Sequence, residues 1–549
     1  MWKVSFRLIS RIKRGIGAST QRSTHRQYGR TGQLGLKDCS TPAVSILATV
    51  SLICVTIATN NSTCNIEIQT NDSNKGVIDS KQWNFRYEAF HQEVRQFLEE
   101  HQIDADEEEC KERAKPWNSY HESKFYPKFI LVPETTEQVS KIVSLCHKYE
   151  IPIVPFGGGT SLEGHTLSLA GGISLDFNHM KNIVQLNEED LDITVEAGVG
   201  YVELNDMLRD KGLWFPLDPG PGASIGGMCA CRCSGSTAVR YGSMRDNVLS
   251  LTAVLPDGTI IKTGSRARKS AAGYDLTRLL IGSEGTLAII TEVTLKLHGI
   301  PKVSHAVRIS FPDGVHAAAT TAKDTLNCGV AIGRCELLDR TMVKLINQAN
   351  PNLPEAWPEH TTLLYEITGI SPESVAEQVD VVSGIARKNG GVVLATATDP
   401  KDTRALWTIR KECLWSAMSQ YPDYEPMITD VCVPLTQLPD LIEETRRSIE
   451  GEFAHLPCPI IAHAGDGNFH VLIMFRRAVE KEVKDAKALA SQMALRAIAL
   501  GGTCTGEHGI GVGKKEYLRK EMGPGSMALM ELIKRSIDPQ GICNPGKIL

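Results

Sequence analysis

Ile151-Pro152-Ile153-Val154-Pro155-Phe156-Gly157-Gly158-Gly159-Thr160-Ser161-Leu162-Glu163-Gly164 runs a short apolar strand directly into a glycine-rich loop. Upstream, Phe129-Ile130-Leu131-Val132 has the character of another strand. Between the two, Val139, Ile142, Val143 and Cys146 recur at helical spacing behind a Thr135/Gln138 capping-box signature. A strand–helix–strand unit therefore delivers the loop at a strand end. Consecutive glycines there let backbone N–H groups close on a pyrophosphate, with the Thr160 and Ser161 hydroxyls as further donors. The spacing fits neither the dinucleotide fingerprint nor the Walker loop. Taken alone, such a loop is as readily a structural turn. Two more glycine-rich runs follow it: Pro219-Gly220-Pro221-Gly222-Ala223-Ser224-Ile225-Gly226-Gly227 and Gly282-Ser283-Glu284-Gly285-Thr286-Leu287, the second preceded by Arg268-Lys269 and Tyr274-Asp275.

Working outward, strand-like segments with turn residues continue to about residue 298, whereas 305–505 alternates helices and strands without such loops. The 549 residues exceed a single core, so an α+β chain of several parts is expected. These are a presequence at 1–40, a hydrophobic anchor or sorting segment at 41–59, a linker at 60–84, a nucleotide-type domain at 85–300, a substrate or cap domain at 301–505, and a closing segment at 506–549. Residues 1–37 hold nine Lys or Arg and no acid, the composition of a mitochondrial transit peptide. Thr41 to Thr59 is uncharged and about long enough to span a bilayer. Positive-inside orientation then points the rest of the chain into the intermembrane space. A cleaved tail and, through the sequons at Asn60 and Asn61, a secretory route stay open. A net charge of -5 argues against nucleic acid as a partner. Fifteen cysteines, an odd and scattered set, read as reduced thiols, with Cys229, Cys231 and Cys233 expected as small buried residues on a strand.

The second chemical signal is Ile460-Ile461-Ala462-His463-Ala464-Gly465-Asp466-Gly467-Asn468-Phe469-His470-Val471. Apolar strands flank a Gly-Asp-Gly-Asn turn, a hairpin pattern. With 465–468 as the loop, His463 faces His470 across the ladder, close enough for both imidazoles to meet one metal. Glu507, in Thr505-Gly506-Glu507-His508-Gly509, offers a third ligand and leaves open positions. Zinc, manganese or iron suits the set. The plain alternative is two stacked histidines and a surface acid.

The three glycine-rich blocks, in this order, resemble the FAD-binding domain of the vanillyl-alcohol-oxidase, or PCMH, flavoprotein class. That resemblance implies a two-subdomain FAD domain beside an α+β cap, with the C-terminal segment returning to the flavin. It implies FAD contacts from Gly157, Gly158, Gly159, Thr160, Ser161 and Gly164 on the pyrophosphate. Pro219, Ser224, Gly227, Ser234, Arg240 and Gly242 would lie along the ring and ribityl chain, and Glu284, Gly285 and Ile290 towards the adenine, with Asn544 from the terminal Asn544-Pro545-Gly546. Thr160 stands where covalent members carry histidine, so non-covalent FAD is implied. The motifs HAGDGNFH and GEHGIG resemble the C-terminal domain shared by D-lactate, glycolate and D-2-hydroxyglutarate dehydrogenases. By that likeness His463, His470 and Glu507 hold a divalent metal (zinc or manganese), His508 is the base, and Arg410 clamps the substrate carboxylate. Ile428 and Leu472 replace the lysine and asparagine of 2-hydroxyglutarate enzymes, which favours a monocarboxylate such as D-lactate. Glycolate and 2-hydroxyglutarate dehydrogenases, or a non-redox enzyme on the same scaffold, are the rivals. Cytochrome c is the acceptor the resemblance implies; without a Rossmann fingerprint, NAD is not.

Overall fold

The computed structural model describes residues 80–549 apart from Trp117, so the basic start, the 41–59 segment and the linker to residue 79 lie outside the described residues. The helix Thr136–Tyr149 forms where expected. Thr135 Oγ1 accepts the Gln138 N–H, and Val139, Ile142, Val143 and Cys146 are all buried. The Gln138 side chain takes the N–H of Glu134, one residue before the box partner. Phe129–Leu131 and Ile153–Phe156 do not pair with each other; Ile173–Asp176 lies between them, parallel to both. The first glycine loop therefore leaves an edge strand of a four-stranded sheet.

A second sheet of five antiparallel strands runs Ile183–Asn187, Asp192–Glu196, Ile289–Lys296, Val248–Val254, Ile260–Lys262 in spatial order. The helix Ile225–Cys231 packs on it. Ser224 caps that helix through the Gly227 N–H, and a Cβ at Gly226 would stand 2.6 Å from that of Ala197. Cys229 and Cys231 thus sit on a helix, and Cys233 just beyond its end. The expected strand is corrected: a three-cysteine alternation mimics period two, but the Ser224 cap starts a helix ahead of it.

The chain passes between Lys296 and Val303 into an antiparallel sheet of eight strands. Its order is Val392–Ala397, Val303–Phe311, Thr361–Gly369, Ile332–Leu338, Ile460–His463, Asn468–Phe475 and Glu425–Ile428, with Val431–Cys432 also on Asn468–Phe475. One face buries Val307, Leu337, Phe469 and Val471 under helices that include Val315–Leu326 and Leu438–Glu450. The other face carries Ile461, Leu472 and Met474 against Trp407 and Ala417. The end of the chain returns to the first sheet, where Ile153 N donates to Ile542 O and Asn544 N to Ile153 O. Among the described residues, no helix is long and apolar enough to cross a membrane.

Candidate active site

A cavity of about 380 Å³ is lined by all three glycine-rich blocks and, on its far wall, by Arg410, His463, His470, Glu507 and His508. The loops sit close because they lack side chains. A Cβ at Gly157 would fall 2.2 Å from Ser224 Oγ, and one at Gly158 2.0 Å from the Gly222 carbonyl. Among the described residues, none of the backbone N–H groups from Gly157 to Ser161 donates to another protein group. Five consecutive free donors on a cavity wall form an anion cradle, which fits a pyrophosphate.

The hairpin forms with a different register from the one expected. His463 pairs with Asn468 and Ile461 with His470, so the loop is 464–467 rather than 465–468. Gly467 takes φ 77°, with its would-be Cβ 2.2 Å from the Val433 carbonyl, a conformation that closes the turn one residue early. A two-residue shift preserves the face, so the imidazoles remain diagonal neighbours with ring centroids 5.3 Å apart.

Their ligating edges converge. His463 Nε2 is 3.1 Å and His470 Nε2 3.5 Å from Glu507 Oε1. Each Nδ1 is held from behind: His463 by Glu336 Oε1 at 2.8 Å, His470 by donating to the Thr429 carbonyl at 2.9 Å. Because a carbonyl only accepts, His470 Nδ1 carries a proton, and Nε2 is the ring nitrogen turned to Glu507. An imidazole so anchored is the usual arrangement of a metal ligand. Burial alone would raise the Glu507 carboxyl, but His463 and His470 hold it well below the usual carboxylate range. Burial would lower His463, yet Glu336 and Glu507 beside it raise it well above the ordinary value.

His508 stacks on His470 at 5.0 Å, with Nδ1 4.0 Å from Asp430 Oδ2. Burial, with His470 and Lys514 nearby, brings it down to about 4 against the pull of Asp430. It is therefore a neutral imidazole at pH 7, the form a base requires. Arg410 lies in the last turn of the helix Pro400–Lys411, and its Nε and Nη2 both donate to Glu336 Oε2, at 2.8 and 2.5 Å. Ile428 and Leu472 are paired across strands, and both face the cavity.

Residues 127–264 match the family described as FAD binding domain, and 300–548 match FAD linked oxidases, C-terminal domain. The chain is 50% identical over 436 residues to the mitochondrial D-lactate dehydrogenase [cytochrome] of Arabidopsis thaliana, covering 79% of this chain and 76% of that protein. The chain belongs to the FAD-linked D-lactate dehydrogenase family. The mitochondrial D-lactate dehydrogenase [cytochrome] 1 of Saccharomyces cerevisiae is 45% identical over 440 residues, covering 79% and 74%. In fold, the chain is similar to p-cresol methylhydroxylase with substrate bound, at TM-score 0.67 and 17% identity over 84% and 97% of the two chains. The fold is thus the PCMH type expected, with FAD as the cofactor of this family.

Within this FAD-linked dehydrogenase, five residues expected at the flavin do not line the cavity. Gly164 lies against Leu167 and His121. Ser234 donates instead to Glu507 Oε2 at 2.8 Å. Arg240 lies over the Tyr241 ring, and Gly242, at φ 73°, closes the short helix Ala238–Tyr241. Asn544 is buried and ties the Glu284 and His165 carbonyls together. Two functional side chains were missed. Glu336 is fully buried and shared by Arg410 and His463. Asp430, also fully buried, accepts the N–H groups of Glu507 at 3.0 Å and His508 at 2.9 Å. A lone acid between Cys335 and Leu337-Leu338 in a strand-like segment was the available signal for the first.

Proposed function

We propose that this chain oxidises D-lactate, or a closely similar small D-2-hydroxy acid, to the 2-oxo acid in the mitochondrion, passing a hydride to FAD and then electrons to cytochrome c. The observation that carries the reading is the single cavity shared by the flavin loops and the His463, His470, Glu507, His508 and Arg410 set. FAD, bound non-covalently by the three blocks, supplies the hydride acceptor. A divalent ion, zinc or manganese, held by His463, His470 and Glu507 would supply Lewis acidity at the substrate hydroxyl. Arg410, steadied by Glu336, grips the substrate carboxylate through its remaining N–H groups. His508 takes the hydroxyl proton at Nε2, the ring nitrogen turned away from Asp430. Ile428 and Leu472 form an apolar wall that cannot solvate a second carboxylate.

Mitochondrial relatives and the acid-free basic start support the location. Anchoring through 41–59 with the enzyme facing the intermembrane space belongs to the same proposal, as does the division at residues 300 and 505. Anaerobic mixing with a panel of 2-hydroxy acids tests the whole. D-lactate should bleach the flavin, while L-lactate and D-2-hydroxyglutarate should not, and His508→Ala should slow bleaching about 10²–10⁴-fold. A flavin that no 2-hydroxy acid reduces would refute the proposal.

A further inference from the structure

The loop that carries Glu507 and His508 is strung between two buried carboxylates, one from each side of the cavity. On the cap side, Asp430 Oδ2 accepts the consecutive N–H groups of Glu507 and His508. On the flavin side, Glu284 accepts the next free pair, Ile510 N–H on Oε1 at 2.6 Å and Gly511 N–H on Oε2 at 2.8 Å. Gly509, between them, has φ 80°, and a Cβ there would stand 2.7 Å from Glu284 Oε1 and 2.8 Å from His165 Nε2. The loop therefore rests directly on Glu284.

Glu284 is itself tightly fixed. Its backbone takes φ 54°, its N–H donates to the Ala230 carbonyl, and its own carbonyl accepts from Asn544 Nδ2 at 2.7 Å. Gly285, the next residue, would place a Cβ 2.7 Å from Pro155 Cγ at the root of the first flavin loop. Both Glu284 and Gly285 line the flavin cavity. A non-glycine residue held in the left-handed region persists only where its surroundings over-determine it.

We propose that Glu284 is a positioning residue: its carboxylate registers the His508 loop against the flavin-binding blocks, so that base and flavin meet the substrate in one geometry. The inference rests on the assignment of His508 as base. Substrate grip comes through Arg410 and the ion site, whose loop ligand Glu507 is held by Asp430 and not by Glu284. Loss of Glu284 should therefore spare binding and slow the chemical step, since a displacement of ~1 Å costs about 10²-fold in rate.

The test uses full-length, FAD-loaded Glu284→Gln, whose carboxamide turns an N–H donor towards one of the two loop donors. Flavin reduction per bound FAD by D-lactate, followed by anaerobic stopped flow, should fall about 10–100-fold, with half-saturation by substrate within about threefold of wild type. A purely structural role would lower the melting temperature and FAD retention and leave that rate unchanged; a rate within twofold of wild type overturns the proposal. Gly509→Ala perturbs the same contact from the loop side while leaving the residues of all three glycine-rich blocks unchanged, and should give the same rate-selective loss. If it does not, the proposal fails even where Glu284→Gln loses its flavin. If D-lactate does not bleach wild type, the substrate reading fails separately. Hydrogen exchange then decides: in Glu284→Gln, amides 510 and 511 should lose protection while those of 507 and 508, held by Asp430, keep it, and unchanged protection at 510 and 511 overturns the inference.

Discussion

Glu336→Gln should weaken two functions at once, because one carboxylate serves two partners. Oε2 takes both Nε and Nη2 of Arg410, and Oε1 takes Nδ1 of His463. A carboxamide can keep one oxygen acceptor but must present an N–H₂ to the other partner. If it faces Arg410, donors oppose donors and a buried guanidinium loses its counter-charge, a loss of about 3–5 kcal/mol when a buried pair is broken. If it faces His463, the imidazole loses the acceptor that orients it. Removing such a partner typically costs about 10–100-fold in metal affinity. Chelator-competition titration of metal-free protein with Mn²⁺ or Zn²⁺ should show a loss of that size, with a raised KM for D-lactate and normal FAD content. Glu366→Gln is the control, since Glu366 pairs with Arg334 at 2.9 Å and touches neither partner. A folded Glu336→Gln with wild-type metal affinity and wild-type KM would refute the shared-carboxylate reasoning.

Gly158→Ala puts a Cβ 2.0 Å from the Gly222 carbonyl, backbone against backbone, so the flavin-to-protein absorbance ratio should drop sharply. Ile428→Lys combined with Leu472→Asn gives the apolar wall a cation and a donor; the D-2-hydroxyglutarate to D-lactate ratio of kcat/KM should rise by at least about tenfold, the equivalent of 1.4 kcal/mol. Burial pushes the Asp339 carboxyl up to about 6, although the Met342 and Ile460 N–H groups oppose it. A raised acid favours the folded state below its unfolded pKa and loses that advantage as pH rises through about 6. Asp339→Asn, which keeps the acceptor, should therefore gain on wild type by about 2–3 kcal/mol between pH 4 and pH 8 in denaturant melts. Metal-free His463 is held protonated by Glu336 and Glu507, so metal binding at pH 7 should release about one proton and tighten as pH rises; calorimetry in buffers of different ionisation heat measures the release.

The glycine blocks were legible because their requirement is local: only glycine lets the backbone close on the Gly222 carbonyl at Gly158 and on the Ser224 hydroxyl at Gly157. The helix Thr136–Tyr149 was legible from its cap and apolar stripe. The hairpin was found but its register was missed by two residues, since the positive φ of Gly467 answers to the Val433 carbonyl from a distant strand. Cys229 to Cys233 misled because seven helical residues are too few to reveal period 3.6 against an alternating pattern. Ser234, a cavity residue by resemblance, turns out to face Glu507 across 273 positions of sequence. Glu336 and Asp430 carry no local signature, because their partners are supplied only by the assembled sheet.

That difference has a physical source. The flavin side works through absent side chains and free N–H groups, whereas the cap side works through buried charges that must each find a partner. Glu336 is answered by Arg410, and Asp430 by Lys514 at 3.5 Å, which also reaches Glu163 at 3.1 Å in the first glycine loop. Unlike Glu336 and Asp430, Glu507 has no Lys or Arg among its described close partners, only two imidazoles and the Ser234 hydroxyl. A largely enclosed carboxylate so placed needs either a protonated imidazole or a cation between the three ligand atoms. His470 is committed at Nδ1 to a carbonyl, which leaves Nε2 as the nitrogen facing inward. A divalent ion held there would satisfy both Nε2 atoms and the carboxylate together. A proton on His463 Nε2 serves that nitrogen and the carboxylate but does nothing for His470 Nε2.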